Sequence, residues 1–423
     1  MNRRIVRLLL SLLVTCAAVL SIGCKAFGDT SDGIPPPVST SSALTSTSIF
    51  PNSTSSATQS VLQNQANAQL DHLPTAEIDV FWKKLQSEYA GYLPDVSGSS
   101  IIRAFVNNGG PSFSGVIHGI LRYFLSVLTD STTLIGGILI LSVLAAVLES
   151  IQSAFDQQAV SQVAYAVIFL VLLVIAVGSF TEAVGYARHA IETMNDFMLS
   201  TVPIAVALLA ASGAVASAAF FQPILIFIVH FVSNIIFLFV FPLIFFSAVL
   251  DVTSSLSSRY KLTRLAGLMR TVGMATLGIC TSAFLGVTAV QGAGKGITDG
   301  IALRALKFSV NTFVPVVGKA VSDATETVLS ASLLVKNAVG IAGIVIIAFI
   351  AIFPALKILA LSMIYGGTSA LMQPMGDNPM IACLGTLSKS LVLVFACVMI
   401  VAIMFFLSIC ILLASANLAV MMA

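Results

Sequence analysis

Charge is scarce in this sequence. Of 423 residues, 20 are Lys or Arg and 18 are Asp or Glu, 9% in all, where soluble domains carry roughly a quarter. That shortage excludes an ordinary solvated globule. The small net charge of +2 excludes the basic field that nucleic acid demands, so no nucleic-acid partner is expected. Cysteine is equally uninformative as chemistry. Cys16, Cys24, Cys280, Cys383, Cys397 and Cys410 form no C-x-x-C pair and no cluster with histidine at metal-ligand spacing. The last four lie in or beside apolar runs, as small buried thiols do. There is also no Ser/His/Asp set and no pair of acid/base carboxylates on one soluble surface. No catalytic residue, metal or cofactor is therefore expected, and the chain does not read as an enzyme.

What is present is apolar: 57% of the residues, with a mean hydropathy of +1.02. No Asp, Glu, Lys or Arg occurs in 131–148, 157–181, 197–250, 271–294, 337–356, 358–376 or 390–423. A helix needs about 20 apolar residues to cross the hydrocarbon of a bilayer. The 197–250 run suffices for two crossings and the others for one each, which predicts about eight, within a range of 7–9. Backbone groups must be satisfied inside lipid, and the two-residue alternation of a membrane barrel is missing, so these are helices. The expected fold is an all-α polytopic transmembrane helix bundle, 131–423, in a cell membrane.

The N-terminal region has a different character. Arg3, Arg4 and Arg7 precede an apolar stretch from Leu8 to Ile22, and "AFG" before Asp29 suits cleavage after Gly28. The "LSIGC" sequence leaves lipidation at Cys24, or an uncleaved anchor, as alternatives. Residues 1–28 thus read as a signal peptide that carries the chain from Asp29 onward out of the cytoplasm. The Ser/Thr/Gln/Pro-rich stretch 29–75 has too little apolar surface to offset chain entropy and is expected to be a disordered extracytoplasmic linker. In 76–130, Ile78, Phe81, Trp82, Leu85 and Tyr89 recur at helical spacing, giving an amphipathic helix that either packs or lies on the membrane face. Arg259, Lys261, Arg264 and Arg270 belong in the cytoplasm by the positive-inside rule. An exported leader followed by four crossings would place them outside, and the sequence leaves that conflict open.

"QGAGKGITDG" (291–300) looks like a phosphate loop and is not one. Ala289 stands where the first glycine of G-x-x-x-x-G-K-[ST] belongs, Gly296 replaces the hydroxyl residue, and an apolar span precedes it instead of a strand. The glycines are expected to break a helix as it leaves the membrane. A second regularity is the spacing of "TVPIAV" (201–206) and "FVPVVG" (313–318) from a later Phe-Pro. Pro203 to Pro242 and Pro315 to Pro354 are both 39 residues. This raises an internal, inverted repeat of 191–300 and 303–416, as in many transporters.

The candidate polar positions are His230 and Asn234, four apart in an uncharged span, and Lys336, Asn337 and Lys357, which interrupt the next long apolar stretch. Such groups either line a pathway or bond helix to helix, and Lys357 can snorkel, pair with a carboxylate or line a pore.

The runs "LKFSVNTFVPVVGKAVSDATETVLSASLLVKNAVGIAG" (306–343) and "FPALKILALSMIYGGTSALMQPMGDNPM" (353–380) resemble the stage III sporulation protein AE family. So do "ETMNDFMLSTVPIAVALLAASG" (192–213), "LTRLAGLMR" (262–270), "GVTAVQGA" (286–293) and the terminal "NLAVMM". The resemblance covers about 76–423. It implies a non-enzymatic membrane subunit of a mother cell–forespore channel or secretion-like assembly, in the mother-cell membrane around the forespore. The implied partners are other membrane subunits, a separate ATPase, a forespore-side partner and the lipid bilayer. It carries over no catalytic residues, and leaves Lys336, Asn337, Lys357, Gln373 and Asp377 as structural or pathway positions. The alternative is a self-sufficient secondary transporter for a small solute.

Overall fold

A computed structural model describes residues 54–71, 76–93, 97–106, 113–154, 158–211, 222–256, 262–313, 318–375 and 379–422. The chain divides into two compact units, Met1–Leu62 and Gln63–Ala423. The signal-peptide reading of 1–28 falls outside the described residues. All regular structure among the described residues is helical, as the uncharged runs predict.

Four shorter helices come first: α1 (Thr54–Asp71), α2 (Ala76–Glu88), α3 (Gly98–Val106) and α4 (Phe113–Asp130). They are followed by α5 (Thr132–Ala154) and the long α6 (Gln158–Ala211). Helix α7 (Gln222–Ile235) runs through a π-helical turn, Ile236–Val240, into α8 (Phe241–Leu256). Then come α9 (Thr263–Phe313), α10 (Gly318–Met372) and α11 (Pro379–Met422). Pro242 is the second residue after the π-turn. Its missing N–H cannot bond back along the helix, and the wider turn is one way a helix absorbs that loss.

Helix α1 corrects the linker expectation over 54–71. Its sequence is polar, but Ala66 and Leu70 are buried, and the Ser332 hydroxyl of α10 donates to Gln69 Oε1 at 3.1 Å. Tertiary contact supplies what the local sequence lacks.

Among the described residues, five helices are long and apolar enough to cross a membrane: Ala166–Leu208, Pro223–Ser254, Thr263–Val290, Ser330–Met372 and Pro379–Ile411. A sixth crossing results if Gly115–Asp130 and Thr132–Val147, bent by 43°, count as one. The sequence expectation of about eight is higher for an identifiable reason. Charges cut 158–211 and 337–372 into separate apolar runs, yet each lies on one unbroken helix. Helix propensity does not register a charged residue as a stop. Helix α6, with 54 residues, is about 81 Å long at 1.5 Å per residue, well beyond the ~30 Å hydrocarbon.

One further expectation changes. Helix α9 continues through 291–300, so the glycine cluster does not break it. Each glycine costs about 1 kcal/mol relative to alanine, little within a helix of this length. Of the prolines that suggest an internal repeat, Pro203 is inside α6, Pro242 lies just after the π-turn and Pro354 is in mid-α10, and Pro315 lies outside the described residues.

The core forms where α10 and α11 pack along each other and against α6. Serine exchange fixes their register: the Ser362 hydroxyl donates to the Ser388 carbonyl and the Ser388 hydroxyl to the Ser362 carbonyl, both at 2.9 Å. Gly366 permits this approach, since a Cβ there would lie 2.8 Å from Ser388 Oγ. Helix α2 is a packed helix and not a surface float. Trp82 is fully buried, 5.9 Å from the Phe349 ring, and Phe81 meets Phe197 at 5.4 Å. Tyr89 stacks on Phe353 at 4.3 Å, and Tyr123 of α4 closes the cluster edge-on at 4.8 Å. Burial, and then the Glu88 carboxylate beside it, raise the Tyr89 phenol well above its ordinary range, so it remains a neutral donor to Glu88 at 3.0 Å.

Candidate functional site

The predicted polar positions do not converge on one place. Lys336 is buried and faces a small cavity of about 50 Å³ between α2, α6, α10 and α11, lined also by Thr201 and Ser408. Asn337, next along the helix, has a buried Oδ1 without a hydrogen-bond partner, as does the Ser408 hydroxyl. Lys357, about 31 Å further along α10 by helical rise, sets its ammonium 4.0 Å over the Tyr186 ring. A cation so placed is held by the ring quadrupole, and the Tyr186 hydroxyl in turn donates to Glu182. The partner expected for a paired Lys357 was a carboxylate; the contact it makes is with an aromatic ring. Gln373 is exposed in the turn after α10, and Asp377 lies outside the described residues.

His230 and Asn234 depart most from expectation. Both are exposed on the outer side of α7, with no part in a helix-to-helix hydrogen bond through the core. His230 edges an open groove with Leu199, Val202, Val206, Pro223 and Phe227. The sequence signal was real, since two polar groups four apart share a face, but periodicity alone cannot say whether that face points in or out.

Sequence reasoning also passed over a more conspicuous feature. Within α6, Glu182, Arg188, His189, Glu192 and Asp196 are all exposed, while Val163, Val167, Leu170 and Val174 on one side and Leu199 and Val206 on the other are exposed apolar residues. The spacing of Glu182, His189 and Asp196, seven and seven, keeps them on one face. Their depth is set by neighbours. Phe180 pairs with Phe245 at 5.9 Å and the Arg188 guanidinium stacks over Phe237 at 5.5 Å. The apolar span Pro223–Ser254 has its midpoint at Leu238–Phe239, so the charged strip of α6 lies at mid-depth of its neighbour. An ionised side chain at the centre of a bilayer costs about 2.5–3.5 kcal/mol even on the mildest scale. A strip so charged is poorly suited to face lipid. A count of uncharged runs treats 182–196 as a loop between spans, which is why the sequence reading missed it.

Towards the C-terminal end of α8 the Asp251 carboxylate accepts from Arg270 of α9, with both partly buried, and the Ser247 hydroxyl donates to the Ala266 carbonyl at 2.8 Å. Among the described residues no group of three or more His, Cys, Asp or Glu is placed to hold a metal. Cys280, Cys383 and Cys397 are buried and free.

Long apolar helices and a packed α6–α10–α11 core define an all-helical membrane protein. Its family emerges from comparison with known proteins. The profile described as stage III sporulation protein AE matches residues 96–416. The "Stage III sporulation protein AE" of Bacillus subtilis (strain 168) is 42% identical over 352 residues, covering 83% of this chain and 88% of that protein. The chain belongs to the stage III sporulation protein AE family, and its role is in sporulation. No solved structure matches it.

Proposed function

We propose that this chain is a non-enzymatic, multi-pass membrane subunit of a conduit between mother cell and forespore, working with other membrane subunits and a separate ATPase. The observation that carries the reading is the family match across 96–416, joined to a helical body long enough to cross a membrane five or six times. The order of crossings supports an orientation as well. With the bent α4–α5 pair, α6 and α7–α8 each crossing once, three crossings separate the 76–106 helices from the basic segment 259–270. The chain then enters α4 from outside, and Arg259, Lys261, Arg264 and Arg270 lie in the mother-cell cytoplasm, as the positive-inside rule asks. On this count the conflict disappears, because the start of the 197–250 run continues the helix that holds the 157–181 run and adds no crossing of its own. A stand-alone transporter gains nothing from the fold, because His230, its buried-site candidate, is on the outer surface.

The test is deletion of the gene in a sporulating host. Development should stop after the forespore is engulfed and resume with the intact chain. Normal spores from the deletion would overturn the proposal.

A further inference from the structure

An ammonium is costly to take out of water, and its burial calls for a physical reason. Lys336 is 1% exposed and lines the cavity of about 50 Å³ that α2, α6, α10 and α11 enclose. On α10, Lys336, Gly340 and Gly343 follow one another at spacings of four and three, so a single face of the helix forms that wall. Across from it, α11 supplies Ser408, which is 2% exposed and whose hydroxyl has no hydrogen-bond partner. Thr201 of α6 also lines the space, but its hydroxyl already donates to the Met198 carbonyl at 2.9 Å. Much of the remaining wall is apolar, with Ile78, Phe197 and Ile409. Among the described residues, no acidic side chain lines it.

This set of groups constrains what the cavity can hold. An ammonium carries three N–H donors, so one given to a neighbour still leaves two. The Ser408 hydroxyl is a further donor, and a guest that accepts from both satisfies a buried group that is otherwise left wanting. The space exceeds the ~10–15 Å³ that one water needs, and falls far below the roughly 300–1,000 Å³ of pockets for organic ligands. Its guest therefore has from one to a few heavy atoms. The walls contribute one positive group and no negative one, so the potential inside is positive, and apolar surroundings strengthen it. A negative guest is favoured there over a neutral one.

We propose that this cavity is a binding site for one small monoanion, a halide or a carboxylate of formate size, held between the Lys336 ammonium and the Ser408 hydroxyl. The site goes beyond the conduit reading and does not rest on it. Because four helices wall the cavity, the anion binds the assembled bundle and not the unfolded chain, and so favours assembly by mass action.

The protein carries its own reporter. Trp82 is its one tryptophan, fully buried on α2 and four residues from Ile78 of the cavity wall, a spacing that puts the two Cβ atoms about 5–6 Å apart. The full chain is purified in detergent and titrated with sodium bromide, whose anion quenches indole emission on close approach. Sodium gluconate holds the ionic strength constant, and its anion has too many atoms for the cavity. The expected result is quenching that saturates. Relief by sodium chloride alone identifies a halide site, and relief by sodium formate alone a carboxylate site. Lys336→Met should abolish the saturable part. Ser408→Ala should weaken bromide binding about tenfold or more, the worth of one hydrogen bond to a charged group. In Gly343→Ala the new Cβ would lie 3.6 Å from Ile409 Cδ1 and 4.0 Å from Phe197 Cε1, ordinary contacts. Its methyl takes space from the guest while the packing holds, so bromide binding should weaken with little change in the halide-free thermal midpoint. Val80→Ala, on the exposed side of α2, should match the original chain. Quenching that rises without saturation, as from a cavity filled with water alone, would overturn the proposal. So would a saturable curve that Lys336→Met leaves unchanged. If Lys336→Met does not accumulate, unchanged bromide affinity in both Ser408→Ala and Gly343→Ala would overturn it equally.

Discussion

Replacing Trp82 by alanine tests whether α2 is part of the membrane body or a dispensable surface helix. The indole is fully buried and its ring faces Phe349 at 5.9 Å. Truncating a buried Trp to Ala costs about 3–5 kcal/mol, of which the aromatic pair accounts for roughly 0.5–1.5 kcal/mol. If the loss falls on the docking of α2 and not on the whole bundle, the undocking equilibrium shifts by about 10² to 10³·⁵, since each 1.4 kcal/mol is tenfold. Limited proteolysis of the full chain in membranes measures this, because cleavage under fast opening and closing tracks the population of the open form. Cutting near residues 72–75 and 94–96 should accelerate by two orders of magnitude or more in Trp82→Ala. Val80→Ala on the exposed side of the same helix should stay within about ±0.5 kcal/mol, less than threefold. Equal cleavage of Trp82→Ala and Val80→Ala would refute the packed-helix reading. Comparable loss at Phe353→Ala, which removes the stacking partner of Tyr89, would show that the aromatic cluster and not Trp82 alone anchors the segment.

Individual contacts carry the other expected outcomes. Gly366→Ala should destabilise the bundle by about 1–3 kcal/mol through overpacking, and Ser388→Ala on the same chain should recover part of it by removing the Oγ at 2.8 Å; thermal denaturation in detergent reads both, and additive losses would contradict the steric account. Arg270→Met should cost more than the double change Arg270→Met with Asp251→Leu, because a single change leaves a partly buried charge unpaired; the same assay decides, and a double variant worse than either single would refute the pairing. Lys336→Met, which keeps the volume of a side chain buried beside the small α10 cavity, should leave protein levels near normal, while Lys336→Glu should deplete the protein from membranes; quantitative immunoblotting of membrane fractions reads both. Gly119→Ala should interfere with the seating of α4, since the added Cβ would lie 2.5 Å from the Tyr92 carbonyl, and faster proteolysis at 94–96 would report it.

Much of the fold was legible because it rests on local rules. Uncharged runs of sufficient length must be helical in lipid, and the spacing of Ile78, Trp82 and Leu85 marks a buried stripe without knowledge of its partner. The failures share one cause. Whether a charged stretch ends a helix, whether a polar helix such as α1 finds a surface, and whether His230 points inward are all settled by neighbours distant in sequence. Span counting split α6 and α10 at their charges because hydropathy weighs composition, whereas helix continuity depends on backbone bonding that Glu182 or Lys357 does not interrupt.

The sequence by itself determined the class, the helical content, the absence of a phosphate loop and the kinship to a sporulation family, each through composition or contiguous motif. Only the tertiary structure decided which helices are single, how many of the described helices are long and apolar enough to cross a membrane, and that Glu182 to Asp196 faces outward level with the middle of α7–α8. The physical reason is that depth and facing are relations between helices. They are fixed by contacts such as Arg188 on Phe237 and Phe81 on Phe197, and no local pattern of residues encodes them.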